Sequence, residues 1–179
     1  MLLKDISFVI PVYNRPNEID ELLKSFSRLE GDKDFEIVII EDGSTEKCDL
    51  IVKSFSDLNI SYHLKSNSGP GDSRNYGMSV AKGKYYVILD SDVILPVNYN
   101  VLLIENLTND FSDCFGGVDD SHQSFNNFQK AVSYSMTSFI TTGHIRGGSK
   151  SKDFQPRSFN MGISKDCLLY TSPSPRDTE

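Results

Sequence analysis

Apolar residues fall in short blocks along the first half of the chain, and each block stops on a polar cluster. Residues 6–12 (ISFVIPV) form a compact run rich in β-branched side chains, ended by Tyr13-Asn14-Arg15-Pro16. The run length and its abrupt stop predict a buried strand. Residues 35–40 (FEIVII) repeat the pattern and stop on Glu41-Asp42-Gly43. Between them, Ile19, Leu22, Leu23, Phe26 and Leu29 recur at helical spacing. Asn17 reads as the N-cap of a helix over 17–29, with Glu18, Asp20 and Glu21 suited to its first turn. A weaker helix is expected over 46–58 and a strand over 60–64. Gly69-Pro70-Gly71 breaks the chain before a helix over 72–81, for which Gly83 reads as the C-terminal stop. Residues 85–89 (YYVIL) are the third buried strand, ending on Asp90-Ser91-Asp92. Further on, the pattern predicts a helix over 98–107, a strand end at 115–118, a helix over 125–139, a polar loop over 144–155 and a short strand over 157–164.

Strands alternating with helices in this order imply one α/β domain, a mainly parallel sheet with helices on both faces. No internal repeat and no second domain are visible. At 179 residues the chain can bury a proper core. Its net charge of −7 argues against a general nucleic-acid binder, which needs a basic face. It does not argue against one anionic ligand held by a few basic groups and a cation. No apolar run approaches the roughly 18 residues of a membrane span, and the opening Met1-Leu2-Leu3-Lys4-Asp5 lacks the apolar core of a signal peptide. Cys48, Cys114 and Cys167 are far apart with no Cys-x-x-Cys pair, as expected of free thiols in a reducing cytoplasm. His63, His122 and His144 are scattered and read as structural or surface residues.

The chemistry gathers at the strand ends. Three successive strands stop on Tyr13-Asn14, Glu41-Asp42 and Asp90-Ser91-Asp92. In a parallel sheet these ends share one edge, where ligands of open α/β sheets bind. Carboxylates one residue apart can share a divalent cation, and that cation can hold a diphosphate. Each neighbouring group then has a task around a nucleoside diphosphate. Tyr13 can stack on a base, Asp42 can accept a base N–H, and Arg74 can meet the diphosphate or the base end as a fixed cation. Asp90 can hold the ribose or support the cation, and Asp92 is the better direct metal ligand. A dinucleotide fingerprint is excluded, because its glycines belong directly after the first strand, where Pro11-Val12-Tyr13-Asn14-Arg15-Pro16 stands. A P-loop is absent as well.

Three stretches taken in order, FVIPVYNRP (8–16), EIVIIEDGST (36–45) and NSGPGDSRNYGMSVAKGKYYVILDSDVILP (67–96), resemble a family 2 glycosyltransferase. RSFNMGISK (157–165) is similar to a later, acceptor-side segment of that family. The resemblance implies the GT-A fold, Rossmann-like, over residues 1–168. It implies a nucleotide-diphosphate sugar donor, most often a UDP-sugar, and Mn²⁺ or Mg²⁺. It carries Pro11, Tyr13, Asp42 and Arg74 over as nucleotide contacts, and Asp90-Ser91-Asp92 as the Asp-x-Asp motif with Asp92 the main metal ligand. It further implies transfer to a glycan, lipid or small acceptor with inversion, in the cytoplasm, with contact at the inner membrane face if the acceptor is a lipid.

One departure matters. The family's Gly-Gly-Phe-Asp/Glu region and later acidic motif are missing after Lys165, so no catalytic base is assigned; Asp119, Asp120 and Asp166 are weak substitutes. Residues 169–179 instead contain two Ser-Pro steps and no apolar period. They are expected to be a non-native or disordered tail on a domain cut short at its C-terminus. A non-catalytic nucleotide-binding module, and more remotely a nucleotidyltransferase, stay open as alternatives.

Overall fold

The computed structural model describes residues 1–116 and 160–170. A six-stranded sheet organises them, in the order β3-β2-β1-β4-β6-β5. Here β1 is Ile6–Val12, β2 Glu36–Asp42, β3 Ile60–Lys65, β4 Tyr85–Ile88, β5 Cys114–Gly116 and β6 Met161–Ser164. The first four strands are parallel. Beyond β4, β6 runs antiparallel, and β5 pairs antiparallel with β6.

Side chains of the central strands alternate strictly, as the pleat requires. Phe8, Ile10, Ile37, Ile39, Tyr85 and Val87 face one layer of helices, α1 (Pro16–Ser27), α2 (Asp49–Ser54) and α4 (Tyr99–Asn109), and pack with Leu22, Phe26, Val52 and Leu103. Val9, Val38, Ile40, Tyr86 and Ile88 face the other layer, α3 (Pro70–Val80) and α5 (Lys165–Tyr170). Both faces are therefore covered, which is why these strands read as continuous apolar runs. Phe8 anchors the larger layer, edge-on to Phe26 at 5.0 Å and to Phe35 at 5.1 Å between ring centroids. Among the described residues no helix is long and apolar enough to cross a membrane.

Several boundaries differ from the sequence expectations for identifiable reasons. Helix α1 begins at Pro16, not after an Asn17 cap, because proline has no N–H to leave unpaired in a first turn. Helix α3 likewise starts at Pro70, two residues early. Helix α2 is reduced to Asp49–Ser54, because residues 44–48 spend their hydrogen bonds on Glu41 and Asn14. Gly83 is not a left-handed helix stop: α3 closes at Ala81 in extended conformation. A Cβ at Gly83 would stand 2.7 Å from the Asp5 carbonyl oxygen and 2.9 Å from the Ser7 nitrogen, so glycine is needed there for close backbone approach. Its N–H donates to Ser7 Oγ at 2.9 Å, and Ser7 Oγ donates to Glu36 Oε2 at 2.6 Å. Helix α5 carries regular structure two residues into the segment expected to be a tail. The helix expected over 125–139, the loop over 144–155, and Asp119 and Asp120 lie outside the described residues.

Candidate functional site

The carboxyl ends of the four parallel strands open onto a cleft of about 540 Å³. Pro11 and Tyr13 reach it from the end of β1, Asp42 from β2, Arg74 from α3, and Asp90 and Asp92 from the turn after β4. All six residues expected from the sequence therefore line one space. Val12, Arg15, Asn67, Gly69, Pro70 and Ser91 complete its wall.

Asp42 is 3% exposed, and its carboxyl is held from several sides. Oδ1 accepts from Lys65 Nζ at 2.9 Å and from the Ser68 N–H at 3.0 Å. Oδ2 accepts from the Gly69 N–H at 2.9 Å, and the Asp42 carbonyl accepts from Asn67 Nδ2 at 2.9 Å. Gly69 makes this possible with φ of +92°, a conformation that presents its N–H to the carboxylate while opening α3. Burial alone pushes the Asp42 carboxyl up; the Lys65 ammonium and the hydrogen bonds from Ser68, Ser73 and Gly69 outweigh it and hold it below its ordinary 3.8. The sign follows. A carboxyl whose folded pKa is depressed contributes stability above its unfolded value, and that contribution is lost as the pH falls through the folded value. Urea midpoints measured from pH 6 down to pH 2 are expected to fall below about pH 4. They should fall less steeply in Asp42→Asn than in wild type; parallel curves would remove Asp42 as a source of acid lability.

Arg74 is anchored by a 2.8 Å bond from Nη2 to Asp90 Oδ1. Its Nε is buried and has no hydrogen-bond partner among the described residues. Asp92 pairs with Arg15 at 3.2 Å, and both side chains are about half exposed. Asp90 and Asp92 thus reach the same cleft but rest on different arginines. Among the described residues no group of three or more His, Cys, Asp or Glu side chains is placed to hold a metal ion.

Behind the cleft, Glu41 is fully buried. It accepts from Ser44 Oγ, from the Cys48 N–H at 2.9 Å and Sγ at 3.0 Å, and from the Tyr62 hydroxyl at 2.9 Å. Burial first, then the Glu41 carboxyl, pushes the Cys48 thiol and the Tyr62 phenol far above their ordinary values, so both stay protonated as donors. Ser44 Oγ in turn accepts the Asn14 N–H at 2.7 Å. Asn14, at φ 52°, accepts through Oδ1 from the Thr45 N–H and hydroxyl and from the Glu46 N–H. This chain of bonds ties the turn after β2 to the turn after β1 that carries Tyr13, which stands 51% exposed at the cleft. Sequence reasoning gave no role to Glu41, Asn14, Arg15 or Lys65. Lys65 ends β3 directly beside Asp42, in a parallel register that only the folded sheet sets.

A mainly parallel α/β sheet with acids and an arginine at its carboxyl edge is the arrangement of the GT-A fold, and the comparisons agree. Residues 7–166 match glycosyl transferase family 2, and the chain belongs to that family. An uncharacterized glycosyltransferase of Rickettsia conorii is 47% identical over 88 residues, covering 49% of this chain and 14% of that protein. Glycosyltransferase GlyA of Streptococcus pneumoniae is 33% identical over 129 residues, covering 70% of this chain and 18% of that one. Among solved structures, S. aureus TarS residues 1–349 in complex with UDP-GlcNAc superposes with a TM-score of 0.61 at 28% identity, covering 68% of this chain and 36% of that one. The match therefore spans about a seventh of the Rickettsia protein's length and little more than a third of the TarS chain.

Proposed function

We propose that the cleft binds the nucleotide-diphosphate part of a sugar donor, a UDP-sugar foremost, and that the whole protein transfers the sugar to a glycan, lipid or small acceptor with inversion. The observation that carries this reading is convergence: six residues from four separate segments line one cleft. TarS, 28% identical over its match, has been solved with UDP-GlcNAc, which supports uridine as the base.

The residues divide the work by chemistry. Tyr13, half exposed beside Pro11, offers a ring face to the base. Asp42 accepts an N–H from the base edge. Arg74, which lines the cleft, donates to a phosphate oxygen while Asp90 fixes its guanidinium. Asp92 and Asp90 fit a hard divalent cation, Mn²⁺ or Mg²⁺. Two carboxylates suffice where phosphate oxygens and water complete the shell, as such cations are usually held in phosphate sites. Bound there, the cation would offset the negative charge of the departing diphosphate.

Isothermal titration of the folded chain with UDP in the presence of Mn²⁺ tests the reading. Saturable heat at micromolar to millimolar UDP, abolished by EDTA, is the expected result. A flat titration at several millimolar UDP would overturn it.

A further inference from the structure

Asp42 is more constrained than a base-reading carboxylate needs to be, and the constraint has consequences for which base fits. A carboxylate has about four acceptor positions. Lys65 Nζ and the Ser68 N–H occupy Oδ1, and the Gly69 N–H takes one position on Oδ2. At most one position, on Oδ2, is left for a ligand, and the Ser73 hydroxyl stands close enough to compete for it. We infer that Lys65 is a positioning residue that sets base choice, by taking the Oδ1 position that the Ser68 N–H leaves open, so that Asp42 can receive a single N–H and no more. This inference rests on the nucleotide reading of the cleft.

The Lys65 ammonium is well fixed for that task. It also pairs with Asp72 at 3.0 Å, meets the Ser66 carbonyl at 3.1 Å, and donates to Ser68 Oγ. Its side chain is 17% exposed, against 4% for Asp42. Asp72, on α3, in turn accepts from Ser68 Oγ at 2.5 Å. The ammonium therefore joins the end of β3, the loop at 66–69 and the first turn of α3 around one carboxylate oxygen.

Nucleobases differ at the edge such a carboxylate would read. Uracil offers one donor, N3–H. Guanine offers two adjacent donors, N1–H and N2–H, whose best partner is a carboxylate with both oxygens free. Cytosine offers the N4 amino donor beside an acceptor, N3, so a carboxylate can take N4–H only with the N3 lone pair close by. An Asp42 with one open position thus favours uracil, whose single N3–H it satisfies, over guanine, and over cytosine, whose N3 lone pair stands beside the donor. Recognition by a group that must be satisfied is also the more selective kind, because the wrong base leaves a buried polar atom unpaired.

The test is a base series on the intact chain. UDP, GDP and CDP are titrated in Mg²⁺ against wild type, Lys65→Met and Lys65→Arg, with circular dichroism confirming the fold. Wild type is expected to bind UDP at least tenfold tighter than GDP or CDP. In Lys65→Met one acceptor position on Oδ1 is freed beside the Ser68 N–H, and the UDP-to-GDP preference should shrink at least fivefold, while the gain in affinity on adding Mg²⁺ stays as in wild type. Lys65→Arg, which keeps a donor on Oδ1, should retain most of the preference. Equal binding of all three nucleotides by wild type would overturn the inference while leaving the cleft a nucleotide site. So would an unchanged preference in folded Lys65→Met. Absence of binding by any nucleoside diphosphate would instead overturn the underlying reading. If Lys65→Met does not fold, the wild-type series and Lys65→Arg still decide the matter.

Discussion

Glu41→Ala is expected to destabilise the protein by about 3–5 kcal/mol, because it leaves a set of buried donors without their acceptor. The side chain is fully buried and receives donors from Ser44, Cys48 and Tyr62. Alanine removes their acceptor without admitting water to replace it. Each buried donor left unpaired costs about 1–3 kcal/mol, so the four from these three residues account for the total even with partial relaxation. A domain of this size has about 5–15 kcal/mol of stability in all, so the variant should sit near the edge of folding. Its urea midpoint measures the loss directly. The damage should also reach the cleft, because the Ser44 hydroxyl that Glu41 fixes is the acceptor for the Asn14 N–H. Base stacking on Tyr13 should therefore weaken under conditions where the variant is still folded. A loss below about 1 kcal/mol would mean that the turn after β2 repacks, with water or other groups satisfying those donors.

The second large effect is on binding. Asp92→Ala is expected to remove the cation-dependent part of nucleotide affinity, a loss of about a hundredfold or more if the cation supplies the several kcal/mol typical of its contact with a phosphoryl oxygen. The Arg15 pair does not change this expectation. With both partners about half exposed at 3.2 Å, it is worth about 1 kcal/mol at most, too little to hold a divalent cation out of the site. Arg15→Gln accordingly offers a contrast of opposite sign: cation affinity in the absence of nucleotide should rise, by no more than about fivefold. Paramagnetic resonance of free Mn²⁺ reads both variants without any turnover. Unchanged Mn²⁺ dependence of UDP binding in Asp92→Ala would take Asp92 out of the site.

Together these expectations separate two kinds of residue that look alike in the sequence. Glu41 and Asp42 are adjacent acids at the end of one strand, yet the pleat sends them to opposite fates. Glu41 turns into the protein and becomes the acceptor that shapes a turn. Asp42 faces the cleft and keeps at most one acceptor position open to it. The same contrast holds for Asp90 and Asp92. Asp90 is held by Arg74 on the cleft wall, and the more exposed Asp92 rests on a weak surface pair.

The sequence alone determined the parallel core of this protein and the edge where its chemistry lies. Runs such as residues 6–12 and 35–40 carry enough apolar β-branched side chains to be buried on both faces wherever they sit, so their strand character survives any tertiary context. Tyr13, Asp42, Asp90 and Asp92 were expected together because strand ends in a parallel sheet fall on one edge by topology, Arg74 joined them from the intervening helix, and Pro11 rested on the family resemblance alone. Local punctuation was less legible. Gly83 looks like a helix stop but is required by a backbone approach from Asp5 and Ser7, residues 76 positions and more away in the chain. Helix α2 is shortened by hydrogen bonds to Glu41 and Asn14 that no local pattern reveals. The partners of each charge were decided only by the fold, because Lys65 meets Asp42 across two strands and Arg15 meets Asp92 across two loops. Periodicity reports which face of an element is buried, whereas the partner of a single polar atom depends on ångström-scale distances that exist only once the sheet has formed.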